Sequence, residues 1–207
     1  MKSSLIRPAL ALALVAGLSA CGGGGKATFT IGGTIGGLEY TGLKLTSNGQ
    51  EISVNPPAKA GENVSFNFPR QIEYGDVYNV QVSQQPLHQR CAPAGQFPNN
   101  SDTAGRLAAI NVLISCSVNQ YTVGGKITGL TADGLVLANG SGGGNLLVPK
   151  DAKEYVMPLP VAYNVTYGIA IIEQPAGLIC TVANPAGTMG DANVTNVDIT
   201  CRPRILA

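Results

Sequence analysis

Phe29-Thr30-Ile31-Gly32-Gly33-Thr34-Ile35-Gly36-Gly37-Leu38 returns 92 residues later as Tyr121-Thr122-Val123-Gly124-Gly125-Lys126-Ile127-Thr128-Gly129-Leu130. The correspondence continues toward the C-terminus of each stretch. Gly42-Leu43-Lys44-Leu45 meets Gly134-Leu135-Val136-Leu137 at the same offset. Tyr78-Asn79-Val80-Gln81-Val82, with Gln85-Pro86 and Cys91 behind it, meets Tyr167-Gly168-Ile169-Ala170-Ile171, with Gln174-Pro175 and Cys180. Gly105, Asn111-Val112, Ile114 and Cys116 then meet Gly190, Asn196-Val197, Ile199 and Cys201. Ordered matches over the whole of two stretches mark a duplicated unit. The chain therefore divides into two tandem domains, residues 28–118 and 119–207.

Inside each unit the apolar period is two. Phe29, Ile31, Gly33 and Ile35 alternate with polar or small residues, as do Val64, Phe66 and Phe68, then Tyr78, Val80 and Val82, then Val112, Ile114 and Cys116. Such alternation makes strands with one face on a core. Asn48-Gly49 and Asn139-Gly140 each follow a strand pattern, and this dipeptide favours the positive φ angles of a tight hairpin turn. Pro56-Pro57, Pro69, Pro149 and Pro158 interrupt strand patterns and mark loops or edges. No sustained helical stripe exists. Several short strands with turn signals in each unit predict an all-β chain of two tandem β-sandwiches.

Cys91, Cys116, Cys180 and Cys201 allow three pairings. The repeat favours the pairing that lies equivalently within each unit, Cys91 with Cys116 and Cys180 with Cys201. Cys116 and Cys201 share the inward face with Val112 and Ile114, or Val197 and Ile199, which predicts buried bridges. Each closed loop contributes about 3 kcal/mol in the chain-entropy model, a large share for so small a domain. A metal site fits less well, because no CxxC spacing exists and His88 is the single histidine.

The fifth cysteine has a different setting. Lys2 and Arg7 precede an Ala/Leu-rich run from Pro8 to Leu18, and Leu18-Ser19-Ala20-Cys21-Gly22 closes it. Basic start, short apolar run and small residues before a cut are the layout of a secretory leader, and the last residues form a lipobox ending at a lipid-accepting Cys21. The run is too short to span a bilayer. Residues 1–20 are thus a lipoprotein signal peptide and residues 21–27, with Gly22 to Gly25, a lipidated flexible tether. Of 13 basic side chains, Lys2 and Arg7 leave with the leader, so 11 face 12 acidic ones and the mature net charge is −1. A chain this neutral lacks the basic footprint of a nucleic-acid binder.

The inventory offers catalysis little. A Ser or Cys nucleophile needs a positioned base, and there is no G-x-S-x-G elbow. Gly125-Lys126 is followed by Ile127 where a phosphate loop requires Ser or Thr. Glu39, Glu51, Glu62, Glu73 and Asp76 could supply a carboxylate pair by type, but scattered acids are ordinarily solvated surface. No cofactor is called for, and no enzyme is expected. Two places remain as candidates for contact with a partner. His88, with Arg90, sits where the second unit has small or apolar residues; it reads either as a solvated surface histidine or as part of a patch particular to the first unit. The stretch from Cys91 to Arg106 combines Phe97, Asn99 and Asn100 at one end of the sandwich, either as a binding loop or as an inert one.

The pattern Tyr121-Thr122-Val123-Gly124-Gly125, Gln174-Pro175-Ala176-Gly177, Cys180-Thr181-Val182 and Asn193-Val194-Thr195-Asn196-Val197-Asp198-Ile199-Thr200-Cys201 resembles a tandem repeat of Gram-negative envelope lipoproteins. It covers nearly all of the second unit and the first more loosely. The first departs at Leu87-His88-Gln89-Arg90, where the second has Ala176-Gly177-Leu178-Ile179, and holds 24 residues between its cysteines against 20. The resemblance implies an immunoglobulin-like or prealbumin-like sandwich without assigned biochemistry. It also implies a lipid anchor in the bacterial cell envelope; Gly22, standing where Asp would favour the inner membrane, points to the outer membrane. The expected function is a non-catalytic structural or display module, with a binding module for an envelope protein or extracellular partner as the alternative. Oligomeric state is left open by the sequence.

Overall fold

The computed structural model describes residues 26–95, 99–140 and 142–205. Cys21, the signal peptide and the glycine run of the tether lie outside the described residues, as does Phe97. Among the described residues every regular element is a strand, and no helix is long and apolar enough to cross a membrane.

The first repeat runs through β1 (Thr28–Phe29), β2 (Ile31–Gly36), β3 (Leu43–Ser47), β4 (Gln50–Val54), β5 (Val64–Asn67) and β6 (Ile72–Glu73). It continues through β7 (Val77–Asn79), β8 (Gln81–Gln84), β9 (Gln89–Pro93), β10 (Ser101–Thr103) and β11 (Ile110–Val118). The second runs through β12 (Gln120–Tyr121), β13 (Gly124–Thr128), β14 (Leu135–Asn139), β15 (Asn145–Val148) and β16 (Glu154–Val156). After these come β17 (Val161–Ala162), β18 (Thr166–Glu173), β19 (Leu178–Val182), β20 (Ala186–Thr188) and β21 (Ile199–Pro203).

Both repeats lay these strands out in the same order. One sheet is β5-β2-β11-β9 in the first repeat and β16-β13-β21-β19 in the second. The opposing sheet is β15-β14-β18-β20 in the second; in the first its counterpart is β4-β3-β8, with β7 pairing β10 alongside. The single strand β18 covers what β7 and β8 divide at Val80; the bond from the Val80 amide to the Asn100 carbonyl has its counterpart in the second repeat, from Ile169 to Pro185. In each repeat the early strand and the last strand pair in parallel, β2 with β11 and β13 with β21, while the other named strand pairs are antiparallel.

Two separate cores fill the sandwiches. Ile31, Ile35, Leu43, Leu45, Phe68 and Val112 anchor one, and Val123, Leu135, Leu137, Met189 and Ile199 anchor the other, with no residue common to both. The alternation behind them is visible in β11, whose residues are buried and exposed by turns from Ile110 to Cys116. Each large aliphatic buried in this way contributes about 1.5–3 kcal/mol.

The disulfides are Cys91–Cys116 and Cys180–Cys201, all four cysteines buried, the pairing that the repeat favours. Each joins residues directly opposite on antiparallel neighbours, β9 with β11 and β19 with β21.

Of the two expected hairpin turns, one is corrected. Asn48-Gly49 forms the two-residue hairpin turn, with φ of 49° and 69°. Asn139-Gly140 does not: Asn139 is the buried last residue of β14, its Oδ1 accepting from the amide of Gly168, and the connection extends to Gly144. The extra glycines lengthened the loop and released Asn139 for a cross-strand bond. The Ala27 carbonyl accepts from the Tyr74 amide and Lys26 Nζ lies 3.3 Å from Glu73, so the docked chain includes these two residues.

Candidate functional site

The segment Leu87-His88-Gln89-Arg90 is where the repeats part company, and the structure shows what the departure builds. His88 holds a left-handed backbone, φ 56°, at the position where the second repeat has Gly177 at φ 69°. Non-glycine residues seldom occupy that region. Gln89 stands where the second repeat buries Leu178, and its amide is buried too. Its Oε1 accepts from the amides of Glu39 and Tyr40, at 2.9 and 3.0 Å, and its Nε2 donates to the Gly37 carbonyl at 2.7 Å. One side chain thereby fixes the β2–β3 connection and holds Tyr40 beside His88.

Around the His88 ring the two repeats meet. Tyr163 stacks on it with centroids 3.7 Å apart and planes 4° from parallel. Tyr40 presents its edge at 5.1 Å, and the two tyrosines lie edge to face at 5.8 Å. His88 Nδ1 is 2.8 Å from the Asp191 carboxylate, an acceptor that takes the bond from Nδ1–H. The His88 side chain is 22% exposed, so it is not the solvated histidine that its sequence setting allowed. Tyr163 and Asp191 belong to the second repeat. Sequence reasoning missed Tyr40 and Asp191 as partners because they lie far from His88 along the chain; the one signal was the replacement of a glycine by histidine between the repeats.

The remaining candidate residues do not join this cluster. Arg90 is exposed on β9, opposite Ser117 near the end of β11. Asn99 bonds the other end of that strand: its Nδ2 donates to the Asn111 carbonyl, and its Oδ1 accepts from the Leu113 amide at 3.3 Å. The six residue steps from Ser117 to Asn111 amount to roughly 20 Å. The two candidate places therefore lie toward opposite ends of β11. Asn100 donates from Nδ2 to the Val80 carbonyl at 3.2 Å. In the second repeat Asn184 Nδ2 makes the equivalent bond to the Asn196 carbonyl at 3.1 Å, which marks the Asn99 contact as scaffold chemistry common to both units.

The acids are likewise dispersed. Glu51 pairs with Lys44 at 2.9 Å, Glu73 with Lys26, and Glu62 with Lys59 at 3.5 Å. The hydrogen bond from Lys44 holds the Glu51 carboxyl below its ordinary range, against a smaller opposing effect of desolvation. Tyr155 donates to the Val197 carbonyl at 2.8 Å, and burial, then the charge of Asp198, pushes its phenol well above the ordinary tyrosine range. Burial, with the charge of Asp102, raises Tyr78 as well. Phenols so placed stay protonated and act as fixed donors. Among the described residues no group of three histidines, cysteines or acids is close enough to hold a metal ion. A shallow depression of about 740 Å³ in the second repeat is lined by Gln120, Asn139, Val165, Thr166 and Tyr167, among others, without a carboxylate, amine or imidazole.

No family profile matches the chain, and no curated protein is similar to it in sequence. Among solved structures, a C-terminal fragment of the pilus adhesin SpaC from Lactobacillus rhamnosus GG aligns with 86% of this chain and 99% of its own at 11% identity and a TM-score of 0.38. The shaft pilin SpaA of the same organism aligns with 86% and 100% at 11% identity and 0.32. A streptococcal ancillary pilin aligns with 85% and 63% at 15% identity and 0.26. Identities and scores this low leave the function to be argued from the chain itself.

Proposed function

We propose that the protein is a lipid-anchored lipoprotein of the bacterial envelope, held through Cys21, in which two β-sandwich domains serve as a non-catalytic structural or display module. The observation that carries the reading is that the side chains setting the first repeat apart from the second, His88 and Gln89, are spent inside the molecule, on the join and on a neighbouring loop. A catalytic or ligand site would instead gather its distinctive groups at a cleft. The lipobox supplies the attachment, since each buried methylene contributes about 0.8 kcal/mol and two or three acyl chains retain a protein for long times. Placement in the outer membrane rests on Gly22. The rival reading, a binding loop between Cys91 and Cys116, loses the Asn99 and Asn100 donors to backbone carbonyls.

Metabolic labelling with a radioactive fatty acid tests the anchor. The wild-type chain is expected to carry label and fractionate with membrane, and Cys21→Ser to lose both while its domains stay folded. Equal labelling of the Cys21→Ser protein overturns the reading. Loss of the protein from intact cells treated with protease distinguishes surface display from a periplasmic position.

A further inference from the structure

We propose that Tyr40, His88, Tyr163 and Asp191 form a locking joint that makes the two repeats one rigid body. This goes beyond the display reading and does not depend on the lipid anchor. Domains joined in tandem ordinarily move relative to one another unless something substantial holds them.

Three observations converge on a lock. The connection between β11 and β12 is the single residue Asn119, and both of its backbone groups are used. Its amide donates to the His88 carbonyl at 2.8 Å, and its carbonyl accepts from the Tyr163 amide at 2.9 Å. The linker is thus tied to the first repeat on one side and to the second on the other, leaving no slack.

The ring contacts come from separate elements that are themselves held. Tyr40 is positioned by Gln89, and Tyr163 by Asn119. The next residue, Asn164, donates its amide to the Met189 carbonyl at 2.9 Å, which ties the Tyr163 loop to the segment that presents Asp191. A flat stack, an edge contact and a directional hydrogen bond restrict tilt, slide and rotation together.

The duplication supplies an internal control. At the opposite pole of the second repeat, Arg204 donates its amide to the Gly177 carbonyl at 2.9 Å, the counterpart of Asn119 and His88. That pole has the same backbone but no ring, because Gly177 stands there. The imidazole stands at the position that faces the second repeat, at the cost of a left-handed non-glycine residue. Within the first sandwich the ring meets Tyr40 at 5.1 Å, while its stacking partner and its hydrogen-bond acceptor both lie across the join.

The test is ¹⁵N relaxation with residual dipolar couplings on the purified full chain, wild type, His88→Gly and Tyr163→Ala. Glycine is the native residue at the equivalent position, so His88→Gly keeps the backbone, while Tyr163→Ala breaks the stack from the other domain. The wild type is expected to fit one alignment tensor and one rotational diffusion tensor over both repeats. Each variant is expected to lose the common tensor and require two, with amide shifts beyond the join unchanged. A wild type that already needs two tensors overturns the joint, as does either folded variant retaining one. Fatty-acid labelling is unaffected by these changes, so failure here and failure of the lipoprotein reading are separable.

Discussion

Gln85 and Gln174 show how far one side chain can explain a repeated motif. β9 and β19 are edge strands, and at Cys91 and Cys180 their outward backbone groups have no neighbouring strand. Gln85 Oε1 accepts from the Cys91 amide at 2.7 Å while its Nε2 donates to the Cys91 carbonyl at 3.1 Å. Gln174 does the same for Cys180 at 2.8 and 3.1 Å. A carboxamide is here a one-residue substitute for a missing strand, and it blunts an edge that would otherwise invite pairing. Gln174→Ala removes two hydrogen bonds and is expected to cost about 1–2 kcal/mol, read as a lower urea midpoint with faster exchange of the Cys180 amide. An unchanged Cys180 exchange rate would show that the cap contributes nothing. The Gln-Pro doublet was legible in the sequence as a recurrence, but its purpose was not, because periodicity reports which face a residue occupies and not which backbone atoms it reaches. Asn139 failed for a related reason: the dipeptide preference is local, whereas the bond to Gly168 is made across the sheet.

At the scale of elements, the recurring glycines follow from how closely the parallel strands approach. A Cβ at Gly33 would run into the Val112 carbonyl of β11, and one at Gly125 into the Val197 carbonyl. At Gly37 and Gly129, with φ of 72° and 79°, a side chain would meet the carbonyl of Cys116 or Cys201 as well as adopting a left-handed backbone. The glycine pairs thus pin each early strand against the last one. Gly125→Ala is expected to destabilise by about 3 kcal/mol, since the obstacle is backbone that has nowhere to move. Gly168→Ala, with open space around its Cβ position and an ordinary φ, is expected to stay within about 0.5 kcal/mol of wild type. Equal midpoints in chemical denaturation would refute the packing account. Strand existence, inward face and cysteine pairing were all legible, because alternation and duplication each carry them. The parallel pairing was not: a period of two is the same for either strand direction.

Over the whole molecule, the two cores share no residue and each has its own bridge. Residues 28–118 and 119–207, expressed separately in an oxidising compartment, are therefore each expected to unfold cooperatively, the isolated units being less stable than in the intact chain because the His88 contacts are lost. A fragment that shows no cooperative transition in calorimetry would end the two-domain description. The join itself lay beyond sequence reasoning. It depends on a pairing between His88 and Asp191, 103 residues apart, which internal comparison cannot reveal because their counterparts, Gly177 and Arg106, make no such contact.

Parallel pairing of the early and last strands has a mechanical consequence. In each repeat the chain enters at one pole along β2 or β13 and leaves at the other along β11 or β21, so a pull on the ends drags paired strands lengthwise past each other. Bonds across such a ladder must rupture together in shear, whereas an antiparallel terminal pair would unzip one bond at a time. Were the ladder to yield, tension would pass through the sulfur atoms, and the 24 and 20 residues enclosed by the bridges would be withheld from extension.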